Sequence, residues 1–341
     1  MRAEDLPAQS TKPINIGESK MWTYIARRIL QTIPTLLISS LLIFSLLYIT
    51  PGDPVELILG TEDANVSEEQ RQLVEAEWGL NKPFLVRYAD FIKGALTGNL
   101  GKSYATGEDV FLSVMRRMPN TLKLAGTAML IALAVSLPLG ILAALKHNSF
   151  IDSLATALAT VGVSLPRFWF GLVLIIFFAL HLGWLPTMPE TTTAADGIIP
   201  FLRSIILPAS SLALSMAATQ TRMIRSSMLD VLNQDYVRYA RSKGLKERTV
   251  IWGHALKNAM IPVITVVGGE IGGLLGGSVI TESIFSWPGV GRLTINSIAR
   301  RDYPMIQGAT LLLCISYMLV NLIIDILYAW FNPRIRLGSR S

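Results

Sequence analysis

Six apolar blocks punctuate the chain, at 29–49, 124–145, 154–182, 205–221, 259–279 and 305–331. A bilayer core about 30 Å thick needs about 20 apolar residues in a helix, and each block meets or approaches that length. The first carries no charge. The third is interrupted only by Arg167, which marks a kink or a water-lined position. Pro34 and Pro138 fall inside the first two blocks; a spanning helix tolerates proline because its neighbours satisfy the freed carbonyls. The pattern predicts an all-α polytopic membrane protein with six transmembrane helices. The first is assigned to 21–50, and the other five to a core over 124–331.

Between the first two blocks lies a long polar stretch, 51–123. Ser67 with Gln70 reads as a capping box, and the helix it opens ends near Gly79. Turn signals at 51–54 and 97–101 bracket that helix, so the stretch reads as a small, partly helical external domain. Orientation follows from basic residues in short loops. Arg27 and Arg28 precede the first block, and Arg334, Arg336 and Arg340 follow the last. The loop 222–258 holds eight Lys or Arg against Asp230, Asp235 and Glu247. An even number of spans puts all three on one side, so both termini are expected in the cytoplasm. Residues 1–20 read as a disordered cytoplasmic tail without the apolar core of a signal peptide, and 332–341 as a second tail. Trp22, Tyr24, Tyr48, Trp184, Trp287, Tyr328 and Trp330 stand at block ends, as an interfacial aromatic belt requires.

Composition agrees with this pattern. Of the 341 residues 51% are hydrophobic and 16% charged, against about a quarter charged in soluble domains; the mean hydropathy is +0.46. A net charge of +6 raises nucleic acid as a partner. The cations instead sit beside apolar blocks, where anionic lipid and membrane topology account for them. The lone Cys314 excludes an intrachain disulfide and a thiolate metal cage, and His147, His181 and His254 form no ligand motif. Gly101-Lys102-Ser103 imitates the end of a phosphate-binding loop, but Leu96 stands where that loop needs glycine. No ATP site is expected in this chain, and no metal site.

Some polar residues inside the blocks carry candidate chemistry. Gly268, Gly269, Gly272, Gly273, Gly276 and Gly277 recur every four residues in two registers, a surface that lets another helix approach closely or slide. Glu270 lies in that block, where a carboxylate must face protein or water. Thr281 is about 20° from it around an ideal helix. Asn321 and Asp325 lie one turn apart in the last block, where Arg334 or a basic group of another chain can pair with Asp325. Glu270 and Asp325 also permit an alternative, a secondary transporter driven by an ion gradient.

The stretch 233–244 is too short and too charged to span. It reads as a helix stopped by Gly244, with Tyr236, Tyr239 and Ala240 on one face and Arg238, Arg241 and Lys243 flanking it. Such a helix lies in the lipid interface or docks in a groove of another protein. The chain then runs through His254 directly into the fifth block, so a docked helix here becomes a lever. At this point the sequence resembles the B-type permease subunits of dipeptide, oligopeptide and nickel ABC importers, from Met21 to Leu337. Matching strings are Pro51-Gly-Asp-Pro54, Trp78-Gly-Leu80 with Lys82-Pro83, Gly98-Asn-Leu-Gly101, Asp235-Tyr-Val-Arg-Tyr-Ala-Arg-Ser-Lys-Gly-Leu245, Thr281-Glu-Ser-Ile-Phe-Ser-Trp-Pro-Gly289, Arg301-Asp-Tyr-Pro304 and Asn332-Pro-Arg-Ile-Arg336. Of the generic Glu-Ala-Ala coupling motif only Ala240 and Gly244 are kept; Arg238 and Tyr239 fill its first two positions.

The resemblance implies type I ABC importer permease architecture in a bacterial inner membrane. It also implies an assembly with a second (C-type) permease, two ATP-binding subunits that hold ATP and Mg, and an external substrate-binding protein. It assigns coupling to the ATPase to Asp235, Tyr236, Arg238, Tyr239, Ala240, Arg241, Lys243, Gly244, Leu245 and His254. Glu270, Thr281 and the adjoining Glu282 are the candidates for lining the path of a peptide or related solute.

Overall fold

The computed structural model describes residues 17–49, 55, 67–77, 79 and 81–331. The sequence features at 1–16, 51–54 and 332–341 lie outside the described residues. Helix α1, Gly17–Ile49, begins inside the stretch read as a tail. Between α1 and the second apolar block come α2, Glu68–Glu77, directly after Ser67, and α3, Phe84–Thr97. Gly79 takes a positive φ of 63°, as expected of the residue that ends α2. The Phe44 ring of α1 meets Phe84, Tyr88 and Phe91 of α3 at 5.4–5.6 Å, and the Tyr88 hydroxyl donates to the Leu37 carbonyl. The external helix is therefore seated on the end of the first span.

Helix α4, Val110–Leu145, starts fourteen residues before the second apolar block, so 110–123 is continuous in helix with it. Arg116, Arg117, Pro119 and Lys123 break the apolar run there. Asp109 nevertheless caps the helix by accepting from Leu112 N at 2.8 Å. Val110, Val114 and Met118 pack with Val290, Met305 and Ala309. The third block is two helices, α5, Phe150–Ser164, and α6, Arg167–Leu174, the latter continuing as a π-helical turn, Ile175–His181. Their axes differ by 104°. Pro166 excludes the α conformation from Leu165, which is extended at φ −77° and ψ 129°.

The fourth block grows into α7, Ile198–Leu232, and α8 is the short Asp235–Ser242. Next is α9, Glu247–Gly277, with a π stretch at Val250–Ala255. It is followed by α10, Val279–Ile284, α11, Val290–Ala299, and α12, Tyr303–Phe331. Among the described residues α4, α7, α9 and α12 are long and apolar enough to cross a membrane; the bent pair α5–α6 makes a fifth, and α1 adds the apolar segment Leu30–Ser45.

The two longest helices, α4 and α7, share the largest interface. Small residues let them approach: a Cβ at Gly140 would lie 2.7 Å from Ile224 Cβ, and one at Gly162 of α5 2.9 Å from Ala218 Cβ. Leu124, Ala128 and Ala132 of α4 close with Ile205, Leu212 and Met216 of α7 and Leu274 of α9 into the central core. Helix α12 packs on α9 and α1. Its N-terminal Asp302 accepts from Ser103 Oγ and from Tyr104 N, which fixes the loop after α3 to the head of the last span.

Candidate functional site

The end of the molecule opposite α3 presents α8. Its C-terminus is closed by Gly244 at φ +78°, a left-handed position that a side chain would strain. Val237 and Ala240, three residues apart, are buried against Val250, Val231 and Leu232. Ala240, one turn on from Tyr236, is buried where the tyrosines are exposed; with Val237 it forms an inward face about 100° around the helix from them. Tyr236 and Tyr239 are 42% and 62% exposed, and Leu245 and Trp252 are exposed nearby. Arg238 lies 4.0 Å from Asp235, and Lys243 stands 4.7 Å over the Tyr239 ring. Arg241 grips Glu247 with two hydrogen bonds, at 2.7 and 3.2 Å, across the Gly244 turn. The carboxylate pushes the Arg241 guanidinium above its ordinary value. Asn258 of α9 donates to the Tyr236 hydroxyl at 3.0 Å, and His254 is exposed on the connecting turn. Helix α8 is thus joined to α9 through the Val237/Ala240 contact, the Arg241–Glu247 pair and the Tyr236–Asn258 bond.

The two glycine registers of α9 separate over their first two turns, and Gly276 then leaves the inward one. Gly268 and Gly272 turn inward, and the space a Cβ would need at Gly272 is taken by Asn321 of α12. Gly269, Gly273 and Gly276 have nothing within 4 Å, and Gly277 faces only Arg167, whose Nη1 lies 3.0 Å from its would-be Cβ. Glu270 is half-buried at the rim of this open face. Its Oε2 accepts from Gln220 Nε2 at 2.6 Å, and Gln220, fully buried, accepts from Ser136 Oγ at 2.8 Å. One polar chain therefore crosses α4, α7 and α9. Sequence reading missed Gln220 and Ser136, although an amide inside an apolar block is the available signal.

Glu282 departs from its expected role. The helix breaks at Ser278, and both Thr281 and Glu282 are buried, Glu282 with no exposed surface. Instead of lining an open path, the Glu282 carboxylate accepts from Ser278 Oγ and from Arg292 N, each at 3.1 Å. It caps α11, where its charge meets the positive helix end. Gly289 and Gly291 leave room for it. Trp287, fully buried, donates to the Asn120 carbonyl at 2.9 Å and holds the same turn on α4. Asp325 pairs with Arg28 of α1 at 3.1 Å, in place of the expected Arg334, which lies outside the described residues.

At the α8 end, Asp152 of α5 accepts from Nε and Nη2 of Arg225 and from Asn148 N, with His147 Nδ1 at 3.0 Å. That cluster ties the α4–α5 hairpin to α7. Its residues looked unremarkable in sequence because Asp152 and Arg225 meet only in the fold.

Several helices long and apolar enough to span, with a short helix exposed at one end and a helix seated on α1 at the other, define a multi-pass membrane protein. The chain belongs to the family of binding-protein-dependent transport system inner membrane components, whose model matches residues 136–337, with the N-terminal model of the same family over 21–125. It is 42% identical over 335 residues to the di/tripeptide transport system permease protein DppB of Pseudomonas aeruginosa, covering 93% of this chain and 99% of that one. The oligopeptide transport system permease protein AppB of Bacillus subtilis is 42% identical over 317 residues, at 92% and 99% coverage. The glutathione transport system permease protein GsiC of Escherichia coli is 41% identical over 317 residues, at 93% and 99%. In fold, the chain is similar to a solved inward-facing methionine ABC transporter, MetNI, with a TM-score of 0.50, 14% identity, and coverage of 64% of this chain and 96% of that one.

Proposed function

We propose that this chain forms half of the translocation pathway of an ATP-driven importer of short peptides, working by alternating access. The observation that carries it is α8: two exposed tyrosines on a short helix whose buried face and Asn258 bond are tied to the start of a spanning helix. A cytoplasmic ATPase subunit docking there has a lever on α9, and the family relation supplies the ATPase. In this reading the chain crosses the membrane six times with both termini in the cytoplasm. A second permease completes the pore, and two ATP-binding subunits hold ATP and Mg, none of it bound by this chain. An external binding protein delivers the solute at the α3 end. ATP binding must favour one conformation over the other to drive the cycle, since equal affinity shifts nothing. The names of the relatives support peptides as substrate.

The gradient-driven alternative needs Asp325 free to take up a proton, and its pairing with Arg28 weighs against that. The test is a mild-detergent pull-down of this chain from its native membrane, followed by ATPase assays with and without the binding protein. Copurifying ATPase subunits and a second permease, with hydrolysis stimulated by loaded binding protein, are expected. A lone or self-associated chain without ATPase activity would overturn the importer reading.

A further inference from the structure

Two charges inside the spanning region lack the partners that buried charges need. Arg167 sits at the α5–α6 bend, half-buried; its Nε donates to Ser215 Oγ at 3.0 Å. Its terminal nitrogens form no hydrogen bond or ion pair among the described residues. Glu270 uses one oxygen on Gln220 and leaves Oε1 without a partner among the described residues. No salt bridge joins the two. Charges at membrane depth are costly and persist where they face a bundle interior or a water-filled path.

The surroundings show which way they face. Gly269, Gly273 and Gly276 leave open space on α9. On α7, the partly exposed Ser215, Thr219, Arg222 and Ser226 follow helical spacing and form a polar stripe. Glu270 lies about 20 Å of helical rise beyond Lys257, toward the end that carries α3. The Arg167 head, beside Gly277, lies two turns further, about 10 Å along α9. That separation is about the length of three extended residues.

We infer that Arg167 and Glu270 form a substrate-reading pair on the wall of the path, Arg167 receiving the C-terminal carboxylate and Glu270 the N-terminal ammonium of a zwitterionic peptide about two or three residues long. The inference rests on the reading of this chain as a peptide importer permease. Arg167 supplies two free donors to a carboxylate, and Glu270 a free acceptor oxygen to an ammonium. Gly273 and Gly276, between them along α9, put no side chain in the way, so the pair reads the termini of the peptide.

The test uses the complete transporter in proteoliposomes with excess binding protein, and measures ATP-dependent uptake of trialanine, its C-terminal amide and its N-acetyl form. Whatever preference the binding protein imposes is common to all permease variants, so changes in ratio report the permease. Arg167→Gln is expected to lower the free-to-amidated ratio about tenfold and leave the free-to-acetylated ratio unchanged; Glu270→Gln is expected to do the reverse. Arg167→Lys and Glu270→Asp keep the charges and are expected to retain both ratios within about twofold, which separates charge reading from a structural role. Ratios that stay fixed in both neutral variants, or that fall together in each, overturn the pair. Failure of the parent transporter to import any peptide with ATP overturns instead the reading on which the pair rests.

Discussion

A carboxylate with no exposed surface has to be held by donors, and Glu282 is held by Ser278 and the backbone N–H of Arg292 at the start of α11. A hydroxyl and a backbone donor converge on one side chain, and the turn 285–289 folds around it, with the Trp287 backbone N–H reaching the Glu282 carbonyl at 2.8 Å. Glu282→Gln keeps the shape but puts an amide donor where donors already crowd. It is expected to cost about 2 kcal/mol, read as a lower thermal unfolding midpoint of the detergent-solubilised assembly. An unchanged midpoint would show the carboxylate to be dispensable. Gly289 belongs to the same arrangement: its φ of −97° suits any residue, so what the position demands is the space that Glu282 fills.

At the scale of elements, α8 is a lever because its two faces have different partners. Val237 and Ala240 are buried under it, while Tyr236 and Tyr239 wait outside. Gly244→Glu adds a charge beside that surface and forces a side chain into a left-handed backbone, at about 1–2 kcal/mol. Membrane insertion and the stability of the spans should survive that cost. ATP hydrolysis by the assembly should continue while uptake falls to background, which parallel measurements of phosphate release and peptide accumulation report. Normal uptake in this variant would remove α8 from the coupling route.

The lever helix was legible in sequence because its polar run, its glycine stop and its join to an apolar block are all local. The apolar blocks were legible for the same reason. The start of α4 at Val110 was not, since Arg116, Arg117 and Lys123 hide a helix whose inward face, Val110, Val114 and Met118, is defined by what α11 and α12 bring to it. Nor was the burial of Glu282 legible: helical periodicity carried past Ser278 puts Thr281 beside Glu270, and the break at Ser278 removes that register. Of the candidate path, Glu270 was visible as a charge in an apolar block, but Gln220 and the open oxygen beside it required the packing of α7 on α9.

For the whole molecule, the glycines of α9 divide labour: Gly268 and Gly272 hold this chain together, and Gly269, Gly273 and Gly276 face what lies beyond it. Gly272 is inside, against Asn321 of α12, so a side chain there must displace a helix that also packs on α1. Gly273, one residue on, points about 100° away into open space. Leucine at the two positions should therefore fail in different ways. Gly272→Leu overpacks the α9–α12 contact, at about 1–3 kcal/mol or more, and should lower the yield and thermal stability of this chain even when it is made alone. Gly273→Leu should leave the isolated chain as stable as the parent, because nothing of its own is in the way. In the assembled transporter the same leucine projects into the path or against the facing permease, so peptide uptake should fall at least tenfold. Equal stability loss in both variants would mean that Gly273 also packs within this chain. Full uptake by Gly273→Leu would mean that the open face of α9 meets only lipid, and the wall of the path would then have to be sought on the polar stripe of α7 alone.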